Sequence, residues 1–428
     1  MCVNRIQISG NIPLRGSVTI QGCKNAALPL MAASVLHEGV TVLHHCPRIL
    51  DVEYMCRLLK SMGCGVYWEK DSLTIDAAKI RDSRIREPEA SRFRASVLLL
   101  GSLLGRFRCV SLPYPGGCSI GRRPIDFHLQ AFESLGALVL PEEKEIRLQA
   151  ERLCGGEIIF DFPSVGATEN AILAAVLAKG TTVIHGCARE PEIAELCQFL
   201  NEKGADIRGI GSKSLKIHGV KKLRDSQYTL MADRIVAGTY LLAVAGTGGA
   251  AVLKRASLAH LRALEEVLAR NGAILTERPD GVQIDARQMK RVREQICTAP
   301  YPGFPTDLQS QMIAFLCGTE GDAIVEERVF ESRFQTVLEL RKMGADICLD
   351  GCAAYIKGRK NRLHGASVCA YDLRGGAALV TAGVMAQGMT SVSGCEFIRR
   401  GYEDISRDFT LLGAKIQEVD CSCIAAGR

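Results

Sequence analysis

Residues 115–128 read PGGCSIGRRPIDFH, which sets one thiol, Cys118, among glycines and just ahead of two fixed cations, Arg122 and Arg123. A thiol beside guanidinium groups is shifted toward thiolate and becomes reactive. Gly116, Gly117 and Gly121 give the loop freedom to move that sulfur. The run is too polar and too breakable to belong to a core, so it reads as a loop that carries chemistry.

A second set of polar residues stands at the starts of strongly apolar helical stretches: Lys24 and Asn25, Arg94, Ser164 with Gly166, Asp233 and Arg234, Asp307, and Asp372 with Arg374. If the apolar helices run parallel, their N-termini converge, and exposed N–H groups and helix dipoles there favour an anion. Capping accounts for the aspartates, at about 1 kcal/mol each. It does not account for the basic residues, because a cation at a helix N-terminus is unfavourable without an anion nearby. Two facing lobes would then enclose a cleft ringed by Lys24, Arg94, Arg123, Arg374 and Arg400. The implied ligand is strongly anionic and carries phosphate and carboxylate together. Neither GIG at 209–211 nor GTGG at 246–249 has dinucleotide-fingerprint spacing, and GxxxxGK[ST] is missing. His and Cys residues show no zinc spacing, so no cofactor and no metal is expected.

The elements that position these residues repeat. A helix–Gly–small residue turn recurs at Gly63, Gly136, Gly204, Gly272, Gly344 and Gly413, at intervals of 68–73 residues. An upstream glycine between helix and strand accompanies each copy, at Gly39, Gly105, Gly180, Gly248, Gly321 and Gly388. Each unit reads as βαβαβ. Its first helix is apolar all round and therefore buried. Its second is one-sided, as in PEIAELCQFLNEKG, where Ile193, Leu196, Cys197 and Leu200 share a face. Six units make two lobes of three: residues 21–231 form the first, and 1–20 plus 232–428 the second, which otherwise ends one strand short. From upstream glycine to turn, five units measure 23–25 residues and the second measures 31. The excess is the Cys118 loop, an addition that the other copies fold without.

The chain has 428 residues, is 47% apolar and carries a formal net charge of +6, mild enough that no nucleic-acid partner is implied. Its N-terminus lacks a signal-peptide pattern, and its most apolar runs (95–105 and 240–253) fall short of the roughly 20 residues that cross a bilayer. A cytoplasmic chain without a membrane partner is expected. The eighteen cysteines are scattered without any CxxC, as small buried hydrophobes would be.

The residues resemble those of an enolpyruvyl transferase family, the UDP-N-acetylglucosamine 1-carboxyvinyltransferases. GCKNAALP at 22–29, FRAS at 93–96, PGGCSIGRRPIDFH at 115–128, SVGAT at 164–168, REPEI at 189–193, ADRIVAGT at 232–239, FPTDLQ at 304–309, VFESRF at 329–334, DLRGGAAL at 372–379 and RGYE at 400–403 occur in family order. The resemblance implies an inside-out α/β barrel of two pseudo-threefold lobes. It implies that phosphoenolpyruvate and UDP-N-acetylglucosamine are the substrates, in the first committed step of peptidoglycan synthesis. It casts Cys118 as general acid, able also to form an adduct with phosphoenolpyruvate, and Asp307 as base for the sugar 3-hydroxyl. Lys24, Arg123 and Arg400 match ligands of phosphate and carboxylate, and Lys24 counts with Cys118 and Asp307 as catalytic because it stabilises charge on the departing phosphate. Asn25, Arg94, Arg123, Pro124, Ile125, Asp126, Phe127, Ser164, Val165, Gly166, Asp307 and Val329 match sugar-nucleotide positions, and Arg333 and Arg374 match arginines near the cleft. Arg399 stands where many relatives carry aspartate, and Phe162-Pro163 lacks a lysine that some have. Two other readings are a shikimate 3-phosphate transferase, whose branch does not use a PGGC loop, and a non-catalytic sugar-nucleotide binder, which has no use for the acid and base.

Overall fold

A computed structural model describes residues 4–86, 89–115, 121, 124–140 and 142–420. The chain divides into two compact units, one of Gly22–Cys118 and Arg122–Met231, the other of Met1–Gln21, Ser119–Gly121 and Ala232–Arg428. Among the described residues, helices of seven residues or more alternate regularly along the chain. The first unit holds α1 (Lys24–Ser34), α2 (Leu50–Ser61), α3 (Leu98–Phe107), α4 (Asp126–Ser134), α5 (Val165–Ala175) and α6 (Pro191–Glu202). The second holds α7 (Arg234–Gly246), α8 (Arg262–Arg270), α9 (Gln309–Gly318), α10 (Gln335–Lys342), α11 (Leu373–Met385) and α12 (Ile405–Leu411).

The odd-numbered helices are buried nearly all round, as their all-apolar sequences require; every residue of α11 is buried, Arg374 included. The even-numbered helices bury one stripe, such as Leu264, Val267 and Leu268 on α8. In the second unit α7, α9 and α11 pack against one another. Small residues allow the approach: a Cβ at Gly246 or Gly318 would lie 2.5 Å from Met385 Sδ and 2.0 Å from Met385 Cε. A separate core surrounds α1, α3 and α5 in the first unit. There Gly105 of α3 lets Leu36 and the Leu173 carbonyl come within 3.1 Å of where its Cβ would be.

Among the described residues each unit has three sheets. Their plan is a parallel pair followed by an antiparallel hairpin. Glu157–Ile159 is joined through α5 to its parallel partner Thr181–His185, which pairs antiparallel with Ser214–His218, and Asp206–Arg208 completes the hairpin. A parallel pair needs a crossover, and the buried helix supplies it. The repeat is therefore βαβαββ, not βαβαβ: the strand containing SLKIHG closes its own unit's hairpin and does not open the next. The Cys109–Pro113 sheet has three strands, its parallel contact reduced to the Arg84–Ser111 bridge.

Two strands are exchanged. Arg15–Thr19 precedes α1 but pairs with Ala250–Lys254, whereas Ser226–Thr229 precedes α7 but pairs with Val40–His44. Asn4–Ser9 lies between Met389–Ser393 and Lys415–Asp420, antiparallel to both.

The six turn glycines all have φ between +86° and +100°, the left-handed stop that follows a helix. The upstream markers are less uniform. Gly105 lies inside α3, and Arg108 takes the left-handed position instead, with φ of 61°. The cause is the close α3–α5 packing, which needs a residue without a side chain at 105 and carries the helix past it.

Candidate active site

In the second unit the starts of three buried helices converge. Asp233 and Asp372 are helix caps: Asp233 Oδ1 accepts the N–H groups of Ile235 and Val236, and Asp372 Oδ1 those of Arg374 and Gly375. Asp307 is not a cap. It sits in a 3₁₀ turn, Thr306–Leu308, ahead of α9, and each of its carboxylate oxygens accepts from a guanidinium. Arg333 Nη2 lies 2.7 Å from Oδ1, and Arg374 Nη2 lies 2.7 Å from Oδ2. The side chain of Asp307 is 28% exposed, those of Arg333 and Arg374 only 4% and 6%. Burial works to raise the Asp307 pKa, but the two arginines overcome it and hold the carboxyl well below its ordinary range. Burial opposes the charge on Arg374, and Asp307 more than offsets that.

Thr306 extends this node. Its hydroxyl accepts from Arg333 Nη1 at 2.7 Å and donates to Glu327 Oε2 at 2.9 Å. Glu327 is buried, and its other oxygen accepts from Thr298 Oγ1 and the N–H groups of Val329 and Phe330. Val329, Arg333 and Asp307 are thus held by one connected network. Deeper between the helices, Thr239 Oγ1 of α7 meets Tyr402 Oη at 2.7 Å and accepts from Gln311 Nε2 of α9 at 3.2 Å. The turn after Arg400 is fixed by Gln21, which donates to the Gly401 carbonyl and accepts from Glu403 N–H. Arg400 is half-buried, whereas Arg399 is exposed and paired with Glu418.

In the first unit, Lys24 Nζ is 2.6 Å from Asp51 Oδ2, a partner from the first turn of α2. Arg94 opens the 3₁₀ turn Arg94–Val97 and donates to the Pro124 carbonyl at 3.3 Å, bringing together two segments 30 residues apart in sequence. Phe127 packs edge-on against Phe160, with ring centroids 5.9 Å apart. Ser164 caps α5 through Ala167 N–H, and beside Gly166 lies the buried His128 ring. Asn25 and Val165 are half-buried, Ile125 likewise, and Pro124 and Asp126 are exposed. Cys118 and Arg123 lie outside the described residues.

Sequence reasoning missed Asp51, His128, Asn170 and Glu327. Asp51 and His128 lie in first helical turns, and His128 ends the PGGCSIGRRPIDFH motif, but only through-space pairing gives any of the four a role. The described cysteines are all free thiols, and burial pushes Cys56, Cys64 and Cys197 up to about 12, which makes them unreactive. Among the described residues no group of His, Cys, Asp or Glu side chains could hold a metal ion, and no helix is long and apolar enough to cross a membrane.

The sequence profile of the EPSP synthase (3-phosphoshikimate 1-carboxyvinyltransferase) family matches residues 8–409. UDP-N-acetylglucosamine 1-carboxyvinyltransferase 2 of Caldanaerobacter subterraneus is 44% identical over 97% of this chain and 100% of its own length. UDP-N-acetylglucosamine 1-carboxyvinyltransferase 1 of Carboxydothermus hydrogenoformans is 43% identical over 96% and 98%. Among solved structures, the enolpyruvyl transferase NikO from Streptomyces tendae superposes with a TM-score of 0.86 at 22% identity, covering 98% of this chain and 100% of that one. EPSP synthase from Acinetobacter baumannii gives 0.74 at 19% identity, covering 97% and 100%. These two similarities describe the fold.

Proposed function

The chain belongs to the EPSP synthase family of carboxyvinyltransferases, and from that premise we propose that it transfers the enolpyruvyl group of phosphoenolpyruvate to the 3-hydroxyl of UDP-N-acetylglucosamine. The observation that carries this reading is nearly full-length identity of 41–44% to enzymes named for that reaction, in a chain with an acid–arginine node at the convergence of buried helices. The first committed step of peptidoglycan synthesis, in the cytoplasm, is the corresponding role. An inside-out α/β barrel with pseudo-threefold units is the finer reading of the fold. Three similar sheets around buried helices in each unit support it.

The sugar oxygen bonds to C2 of phosphoenolpyruvate while its proton leaves to a base, and C3 gains a proton from an acid. Loss of phosphate from C2 and of a proton from C3 then restores the enol ether. Cys118 is assigned as the acid and Asp307 as the base, each worth about 10²–10⁴-fold. Lys24, Arg123 and Arg400 hold the phosphate and carboxylate of the donor, and charge-assisted forks orient as well as bind. Asn25, Arg94, the segment Arg123–Phe127, Ser164, Val165, Gly166 and Val329 hold the sugar nucleotide. Arg333 and Arg374 have a double duty. While both grip Asp307 its carboxylate is a weak base. An arriving anion that draws these guanidiniums to itself returns basicity to Asp307, which couples donor binding to activation of the hydroxyl.

Phosphate release from phosphoenolpyruvate, measured with UDP-N-acetylglucosamine and with shikimate 3-phosphate in turn, tests the reading. Turnover with the sugar nucleotide alone is expected; turnover with shikimate 3-phosphate alone, or with neither, rejects it. Cys118→Ala should abolish turnover while calorimetry still detects sugar-nucleotide binding, and normal turnover in that variant would remove the thiol from the chemistry.

A further inference from the structure

We propose that Asn170 and His128 form a positioning relay that sets three separate sugar-nucleotide segments in one register; the inference rests on the function proposed above. Asn170 is fully buried on α5. Its Oδ1 accepts from Gly101 N–H at 2.8 Å, and its Nδ2 donates to the Val97 carbonyl at 3.0 Å. Val97 and Gly101 are four residues apart, the pair that a continuous helix joins directly. The Asn170 amide thus grips the junction where the 3₁₀ turn carrying Arg94 becomes α3. Only glycine allows this approach, since a Cβ at position 101 would lie 2.6 Å from the Asn170 carbonyl and 2.7 Å from Oδ1.

The amide has one possible orientation, because an N–H only donates and a carbonyl only accepts. Its Nδ2 also lies 2.8 Å from His128 Nδ1, so that ring nitrogen is the acceptor and the imidazole proton sits on Nε2. His128 stands in the first turn of α4, directly after Pro124–Phe127. Its ring occupies the space left by Gly166, where a Cβ would be 3.1 Å from Cε1 and 3.3 Å from Nε2. A single buried amide therefore ties the Arg94 turn, the Pro124–Phe127 segment and the Ser164–Gly166 helix start. A buried network with every member satisfied specifies a unique arrangement, which simple apolar packing does not.

The His128 arm can be tested without disturbing the grip on α3. His128→Leu removes the acceptor, and His128→Asn restores one near the position of Nδ1. With both variants folded by circular dichroism, His128→Leu should raise KM for UDP-N-acetylglucosamine at least tenfold. Its kcat and its KM for phosphoenolpyruvate should stay within threefold of wild type, and His128→Asn should stay within threefold throughout. Histidine ¹⁵N NMR of the wild-type protein should show the Nε2–H tautomer. The relay is overturned by an Nδ1–H tautomer, by wild-type KM in His128→Leu, by a parallel rise in both KM values, or by His128→Asn as impaired as His128→Leu. Absence of transfer by the wild-type chain would overturn the proposed function and the relay with it; the other outcomes overturn the relay alone.

Discussion

At the scale of single residues, the most informative side chain is Asp307, because its two neighbours decide what it can do. Two nearly buried guanidiniums bind one carboxylate, an arrangement that keeps it ionised and poorly basic until another anion competes. Asp307→Asn should leave a folded protein with kcat reduced at least about 100-fold in the phosphate-release assay; turnover at the wild-type rate would take Asp307 out of the chemistry. The ion pairs also affect stability in a fixed direction. The folded pKa lies below the unfolded one, so the contribution is fully present above the unfolded value near pH 4 and is lost as pH falls through the depressed folded value. Urea unfolding between pH 5 and 3 should therefore show wild type losing stability more steeply than Asp307→Asn, and equal slopes would contradict the depressed pKa.

At the scale of elements, α6 and the repeated turns are most open to test. The one-sided pattern of α6 predicts a buried face of Ile193, Leu196, Cys197 and Leu200, and these are buried; so are Glu192 and Glu195. Glu195 Oε1 accepts from Met231 N–H at 2.7 Å, at the end of the first unit. Burial pushes its pKa up to about 7, against the Met231 hydrogen bond and with the help of Glu192. Glu169 is also raised, by burial and then by Glu192 and Glu190. A raised carboxyl pKa favours the protonated folded form, so this stability is present below about pH 4.5 and is lost as pH rises through about 7. Glu195→Gln should stabilise the protein at pH 8 by up to about 3 kcal/mol and by less than about 1 kcal/mol at pH 5, judged by urea unfolding. A gain independent of pH would point to packing instead. Among the turns, Gly204 has φ of +99° with nothing within 4 Å of its missing Cβ, whereas at Gly344 that Cβ would meet His364 at 2.7 Å. Gly204→Ala should cost about 1–2 kcal/mol for backbone conformation alone, and Gly344→Ala more. Equal losses would show that the contact is relieved freely.

At the scale of the whole molecule, three of the six sheets found among the described residues are completed by strands far away in sequence: Arg15–Thr19, Ser226–Thr229 and Asn4–Ser9. Asn4–Ser9 is an interior strand whose loss would leave Met389–Ser393 and Lys415–Asp420 without a shared partner and remove the buried Ile6 and Ile8. Deletion of residues 1–9 should abolish cooperative thermal unfolding of the second unit, as followed by calorimetry. A truncated chain that melts like wild type would show that this sheet tolerates the gap.

Much of this architecture is written locally. A helix stop with φ between +86° and +100° strongly favours glycine, so Gly63, Gly136, Gly204, Gly272, Gly344 and Gly413 mark the repeat without knowledge of any partner. A helix apolar on every side must be buried, which makes α7 and α11 core helices on composition alone. The identities of most candidate site residues are legible in the same way, as motifs of consecutive residues. Their pairing is not. Asp307 meets Arg333 and Arg374 across 26 and 67 residues of chain, Lys24 takes Asp51 from another helix, and Asn170 reaches α3 and α4 at once. The exchange of Arg15–Thr19 and Ser226–Thr229 is equally silent in the local pattern. Sequence determined which residues bend, bury or carry charge, because those are properties of short segments. Only the tertiary structure decided which charges meet and which strands pair, because hydrogen bonds and ion pairs depend on distance in space, and no short segment contains both partners.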